Sequence, residues 1–568
     1  ADIFELVPDV GPLQLSFTPG LAKWWQYEFF DKYADVNMLQ RSIMEALDTD
    51  ETGARVPINQ DFEVLQKLST SRAAYEVEQM INLRTQKGGL TDQLRQLQKT
   101  TDASLYEALP EVYDKNIIGL YDRWTVAKFA PERNQKVLAD NQAELNKLKG
   151  KEDRTAADNN RIKFLEEKIA ERRGSGMADE EAANFLNSLP EDLNLAFEKV
   201  REEHRAIQQN TRDAALRYGF IDQAMYDKLQ TTAENYVTLT GDGMKSMDGS
   251  IQLIDNDIVE AIFPSRSGQS GVPDNLRKAS GRSDETGSIL AKTVDQNTQI
   301  HVAGQKNVAL TGLYELILNN PNPKHYTISD EGNSAAKNTV MVYVNGEKKY
   351  MTFANDVYAR AFKLQGPKGS EQMVRFMNEG TRLLSNIPKM YTQYSTTFFL
   401  GNTPRDYQTS VVNALAAAEK KFGFALYNAE GKPINTKQLV RDSHLVGRGE
   451  FMKAFKAIAA DEFSPGSNYR GKDNVLYQEF KAHGGKTGWA YQTPLEDLSK
   501  TLAAETDATV RGRKGMTWLK DNTLGMVESF NNTFENVFRF QVYKGLRNQG
   551  VLPEYAAAVA KDVSIDFN

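Results

Sequence analysis

Apolar positions through the first 235 residues recur at helical spacing, segment after segment, and predict a run of helices. Trp24, Trp25, Tyr27, Phe29 and Phe30, continuing through Met38, Leu39 and Ile43, predict an aromatic-rich core helix. Between Arg133 and Arg173 the pattern thins: 19 of 41 residues are charged, with both signs mixed. Leu138, Leu145 and Leu148 form one narrow seam, and Ile162, Leu165 and Ile169 another, around the turn-like Lys149-Gly150-Lys151-Glu152-Asp153. Two helices with such seams predict an antiparallel hairpin. Its apolar face is too small for a domain core, so residues 133–173 are expected to project and meet a partner.

Near Asn235 the period changes. Tyr236-Val237-Thr238-Leu239-Thr240 and Ile251 to Ile254 are β-like, and Ser265 to Ser288 has the Gly, Ser and Pro content of a long loop. A helix follows from about Gln299 to Asn319, stopped by Pro321 and Pro323. Thr339 to Val344, then Asn345-Gly346, then Lys349 to Phe353 predict a β-hairpin, because Asn-Gly supplies the positive φ that a two-residue turn needs. From Asp356 the pattern is helical again, broken at 401–405, 428–435 and 464–473. Met526, Phe530, Phe534, Phe538, Val542 and Leu546 lay a diagonal ridge along one long helix; Gly550 ends it and Pro553-Glu554 opens the next. The predicted fold is mainly α: an elongated multi-helical assembly with a projecting antiparallel hairpin and a small β-hairpin-containing middle region. Its regions are 1–235, 236–355 and 356–568.

Composition narrows the chemistry. The 568 residues carry a net charge of −7, which argues against coating nucleic acid along the whole length. No cysteine is present, which excludes disulfides, thiol nucleophiles and thiolate metal sites. The five histidines show no ligand spacing, and His204, within Arg201-Glu202-Glu203-His204-Arg205, reads as part of a solvated helix face. No apolar run approaches the roughly 18 residues of a membrane span. The chain opens at Ala1 and stops at Asn568, and is expected to be a piece of a larger polypeptide.

Partial motifs fail on named residues. Gly485-Lys486-Thr487 resembles the end of a phosphate loop, but Phe480 stands where its first glycine belongs. Asp48, Asp50, Thr52 and Gly53 resemble a calcium loop, yet Asn59 replaces the bidentate acid and Pro57 interrupts it. The Gly268 to Gly271 segment, with Gln269 inside it, does not complete the Gly-x-Ser-x-Gly spacing of a serine elbow. No residue is therefore assigned a catalytic, cofactor-binding or metal-binding role. A basic strip, Arg511, Arg513, Lys514 and Lys520 with Trp518, is a candidate nucleic-acid contact; its plainer reading is a loop whose cations balance Glu505 and Asp507.

Three C-terminal segments carry a family resemblance: Phe399 to Asp406, the turn Gly484 to Gly488, and Thr533 to Arg539. With the terminal run from Glu554 to Asn568, they resemble the large polyvalent-protein-associated helical domain found in very large phage and mobile-element proteins. With Leu276 to Arg282 and the helix ending at Asn320-Pro321, the resemblance covers roughly residues 230–568. It implies a non-enzymatic internal virion protein of a short-tailed phage, held in the capsid or tail and delivered into the host envelope with the genome. The implied partners are other copies, other ejection proteins, the portal or tail, and genomic DNA transiently, with no small-molecule substrate. The alternative is a segment of a virion RNA polymerase or another phage polyprotein enzyme whose active site is not legible. Asn402, Arg405, Asp406, Gly484, Gly485, Glu535, Asn536, Arg539 and Asp566 are expected to be structural, with Asp406 or Glu535 pairing Arg539.

Overall fold

The computed structural model describes residues 39, 62–85, 89–231, 289–333, 336–360, 428–444, 450–463, 472–486 and 536–562. Within them the chain is mainly helical, with one three-stranded antiparallel sheet. The aromatic segment at 24–30, the β-like stretches at 236–254, the loop at 265–288, and Met526, Phe530 and Phe534 lie outside the described residues.

The helices before the sheet are α1 (Phe62–Thr85), α2 (Leu90–Thr100), α3 (Ala103–Glu107), α4 (Ile117–Lys149), α5 (Ala156–Glu171), α6 (Asp179–Ser188), α7 (Glu191–Arg217), α8 (Gln223–Thr231) and α9 (Ile289–Asn319). Asn116 starts α4 by accepting from the backbone N–H of Ile118 and Gly119, a side-chain cap on otherwise orphaned donors. The first half of α4 is buried. Ile117, Ile118, Leu120, Tyr121 and Trp124 pack with Leu193, Phe197, Val200 and Ile207 of α7 and with Leu90 and Leu94 of α2.

The predicted β-hairpin is present. Strands β2 (Thr339–Val344) and β3 (Glu347–Phe353) join through Asn345 and Gly346, both at positive φ (52° and 83°). An additional strand, β1 (Tyr326–Ser329), completes the order β1-β3-β2, with Tyr326 opposite Phe353. On the other edge, Asn307 of α9 pairs with Tyr343 as a peptide would: its Oδ1 accepts from Tyr343 N–H (3.1 Å) and its Nδ2 donates to Tyr343 C=O (2.8 Å). That amide also donates to the carbonyl of Tyr218, so one buried side chain ties α9, the end of α7 and the sheet edge together.

After α10 (Asp356–Arg360) come α11 (Thr436–His444), α12 (Glu450–Phe463), α13 (Lys472–Ala482), α14 (536–548) and α15 (Pro553–Asp562). The helix end at Gly550 and start at Pro553 stand where the sequence predicts them. Gly550 has φ 81°, and Val551 N–H reaches the carbonyl of Leu546. Phe538, Val542 and Leu546 are buried, as the ridge pattern requires, and Val537, Phe540 and Tyr543 beside them bury the other sides of α14.

Helix α1 packs across all three regions. Val64 and Leu68 enter the C-terminal cluster, Phe62 and Leu65 the cluster under the sheet, and Met80 the cluster around α4 and α7. Its strongest partner is α9, whose 31 residues span about 46 Å at the helical rise and touch α4, α7 and the sheet in turn.

Candidate functional site

The C-terminal junction forms where α1 meets α13, α14 and α15. Helix α13 ends in a Schellman turn: Gly484 sits at φ 79°, its N–H reaches Lys481 C=O, and Gly485 N–H reaches Phe480 C=O. A Cβ on Gly485 would lie 2.1 Å from the Phe480 ring, and one on Gly484 2.9 Å from Leu68 C=O. Both glycines are thus fixed by close approach. Phe480, which breaks the phosphate-loop pattern in the sequence, is the wall against which that turn folds.

The turn brings Lys481 inward. Its side chain is 1% exposed, and its Nζ meets Asp461 Oδ2 at 2.6 Å and Glu78 Oε1 at 3.1 Å. Asp461 also accepts from Gln478 (2.8 Å), and Lys486 reaches Glu78 at 3.7 Å. Tyr75 and Tyr477 present their rings to the ammonium at 5.8 and 6.0 Å. Further along α1, Arg72 pairs with Glu554 (3.6 Å) and donates to His483 C=O, while His483 Nδ1 lies 3.2 Å from the same carboxylate. The hydrogen bond with His483, opposed by burial and aided by Arg72, holds Glu554 down to about 2. Lys561 closes the row by donating to Lys67 C=O and Ser71 Oγ, each at 2.9 Å. A buried cation between carboxylates with satisfied hydrogen bonds is a staple between elements more than 400 positions apart, since losing either sign strands the other.

Of the residues expected to matter, Gly484, Gly485, Asn536 and Arg539 are described, and Asn536 and Arg539 are fully buried on α14. Asn402, Arg405, Asp406, Glu535, Asp566 and the strip Arg511, Arg513, Lys514, Trp518 and Lys520 lie outside the described residues, as do both carboxylates named for Arg539. The same holds for Asp48 to Gly53. The Lys481 node itself has no sequence signature: its acid partners sit on α12 and on α1.

His204 corrects the sequence reading. It is 2% exposed, not solvated, because it shares a face of α7 with Phe197, Val200, Arg201 and Ile207 while Glu202 and Arg205 turn outward. Thr293 donates its hydroxyl to Ile289 C=O, so His204 Nε2 is the donor across the 2.8 Å contact to Thr293 Oγ1. Nδ1 then accepts from Tyr121 OH at 3.0 Å. A second node repeats the arrangement: Tyr218 OH lies 3.0 Å from His301 Nδ1, and His301 Nε2 lies 2.9 Å from Asn210 Oδ1. Burial, reinforced by Arg201 beside one ring and Arg217 beside the other, lowers both histidines to about 4. Both rings are neutral pins between α7 and α9.

The arm at 133–173 has the opposite character. Helix α4 runs on past the body, Thr155 and Asp158 form a reciprocal capping box, and α5 returns. Among the described elements, α5 packs substantially against α4 alone. Val137, Asn141, Leu145 and Leu165 are buried in the seam, with Leu138, Leu148, Ile162 and Ile169 half-buried. Ion pairs cross it: Arg161 forks onto Glu144 at 2.9 and 3.1 Å, Lys149 meets Glu166 at 2.6 Å, and Lys151 meets Asp158 at 2.7 Å. At the base, Asn134 donates to Met177 C=O and Asp179 and accepts from Ser175 N–H, clamping the returning strand. Beside the clamp, Arg123, Glu181, Phe185 and Ser188 line a shallow concavity of about 580 Å³, and Arg123 shares the Glu181 carboxylate with Arg173.

Among the described residues, no cluster of acids and histidines is arranged to hold a metal, and no helix is long and apolar enough to cross a membrane. The described part is thus a helical framework with an internally paired core and one two-helix arm. Comparison with protein-family models, characterised proteins and solved structures gives no match.

Proposed function

We propose that this chain is a non-enzymatic scaffold and docking segment of a large phage virion protein, one stored in the particle and ejected with the genome. The docking half of this reading is carried by the arm: a helix pair that buries four side chains in its seam and leaves its outer faces to solvent. The phage half rests on the motif resemblance in the C-terminal third. A structural role is supported further by Lys481, His204 and His301, whose polar atoms are spent on internal partners rather than aimed into a cleft.

Cross-linking mass spectrometry on purified virions of the parent phage tests both halves. Peptides of this chain should appear in the particle, with Lys147 or Lys163 of the arm linked to a neighbouring chain. Deleting residues 133–173 should leave the remainder folded, with stability lowered by no more than the loss of the Asn134 clamp, and reduce incorporation. A polymerase or wall-degrading activity of this chain, lost in an Arg539→Ala variant that melts normally, would overturn the reading in favour of an enzyme.

A further inference from the structure

Lys481 is placed as a reacting group would be. Its Nζ lies 2.6 Å from Asp461 Oδ2, and the other oxygen of that carboxylate, Oδ1, accepts from Gln478 Nε2 at 2.8 Å. A second carboxylate, Glu78, reaches the same Nζ at 3.1 Å through Oε1, and Lys486 stands 3.7 Å from its Oε2. The Lys481 side chain is 1% exposed, and the fully buried Ala457, Ile458, Tyr477 and Phe480 come from the same two helices, α12 and α13. Other short pairs lack this set. Lys149 meets Glu166 in water, and Lys349 meets two carboxylates, Asp330 and Glu347, that are both largely exposed. Of these three lysines, Lys481 alone has a dehydrated nitrogen against a carboxyl group, a donor on that group's far oxygen and a second carboxylate as base.

We propose that Lys481 and Asp461 join in an intramolecular amide bond, with Glu78 carrying the proton. The ion pair described above is the precursor. Nζ passes one proton to Oδ2, a transfer that burial favours because neither charge keeps its hydration. The neutral amine then attacks Cγ, and the negative charge that develops on Oδ1 meets the Gln478 amide. Glu78 takes a second proton from the nitrogen and hands it to Oδ2, which leaves as water. One N–C bond forms, one C–O bond breaks and one water departs. Glu78 ends as it began, and no oxidant or activating group is needed. Contact between amine and acid supplies the rate, since partners fixed in this way reach effective concentrations of about 10⁵–10⁸ M. Lys486 remains as the counter-ion of Glu78 once the ammonium is consumed. The amide ties α12 to α13 covalently at the junction. Neither the arm nor the phage resemblance enters this inference, so it stands or falls apart from the proposed function.

Mass spectrometry of the purified full chain, intact and after tryptic digestion, tests the bond following incubation at neutral pH. The wild type should be lighter than its sequence by the mass of one water. Trypsin should fail to cut after Lys481, and peptide 457–470 should appear joined to peptide 473–486 through Asp461 and Lys481. Lys481→Arg keeps the positive charge, but its guanidinium stays protonated and cannot attack, so this variant should show its full mass. Glu78→Gln keeps the size of the side chain and removes the base, and should leave the link absent or incomplete. A wild type at full mass, or a water loss mapped to other residues, would overturn the proposal. So would a water missing from Lys481→Arg, or a Glu78→Gln variant linked as completely as the wild type.

Discussion

In the arm, Lys149 meets Glu166 at 2.6 Å with the two side chains 47% and 49% exposed; in the junction, Lys481 meets Asp461 at the same 2.6 Å with its own side chain 1% exposed. Distance does not separate these pairs; solvent does. In the arm, water screens the charges and can replace either partner, so each bridge contributes little and the seam supplies register. In the junction, the ammonium has given up its water, and the carboxylates of two distant helices are what hold it. The same residue types thus make a water-screened seam in the arm and a buried joint at the junction.

The sharpest way to break this comparison is Lys481→Ala. Leaving Asp461 and Glu78 facing a buried gap should cost about 3–5 kcal/mol in chemical denaturation, whereas Lys149→Ala should cost under about 1 kcal/mol. Equal losses would show that solvent reaches Lys481 and would end the distinction.

Acid extends the buried side of the comparison. His204 and His301 are lowered to about 4 in the fold, from about 6.5 when unfolded. Between those values the unfolded chain binds the protons, so stability is present above 6.5 and is lost as pH falls towards 4, by roughly 3 kcal/mol per ring at most. Glu554, depressed to about 2, adds a later phase: its contribution is present above its unfolded value of about 4.5 and is lost as pH falls through 2. Melting temperatures should fall from pH 6.5 to 4 in the wild type and less in His204→Asn, once each is normalised to its own value at pH 7. A flat profile over that window would mean that the rings are not buried pins.

Smaller effects sharpen the arm's side. Asn134→Ala removes the clamp at the arm's base and should cost roughly 1–3 kcal/mol, read as faster proteolysis at residues 173–177 with the C-terminal junction still protected. Glu144→Ala, which frees Arg161 across the seam, should cost under about 1 kcal/mol, and the cost should shrink further in high salt. A Glu144→Ala loss as large as that of Lys481→Ala would place the arm among the buried joints.

The arm, the Asn345-Gly346 hairpin, and the helix end at Gly550 with its successor at Pro553 were all legible in the sequence. Each depends on a period or a turn conformation written within a few neighbouring residues. Even there, detail escaped. Val137 and Asn141 share the arm's seam with Leu145, and α9 begins at Ile289 rather than near Gln299, because burial against α4 and α7 extends a helix beyond its clearest apolar run. Strand β1 escaped too, since four residues between Pro323 and a polar turn carry little pattern until β3 lies beside them.

The charged and polar centres depended on tertiary structure. His204 in a run of arginine and glutamate looks solvated until Tyr121 and Thr293 arrive from 83 and 89 positions away. Lys481 looks like any helix-end cation until Glu78, 403 positions back, closes over it. Local sequence sets which dihedrals and faces are available, and that was enough for helices, turns and an arm. Whether an ionisable group is buried depends on which distant surface covers it, and that surface exists only once the chain has folded.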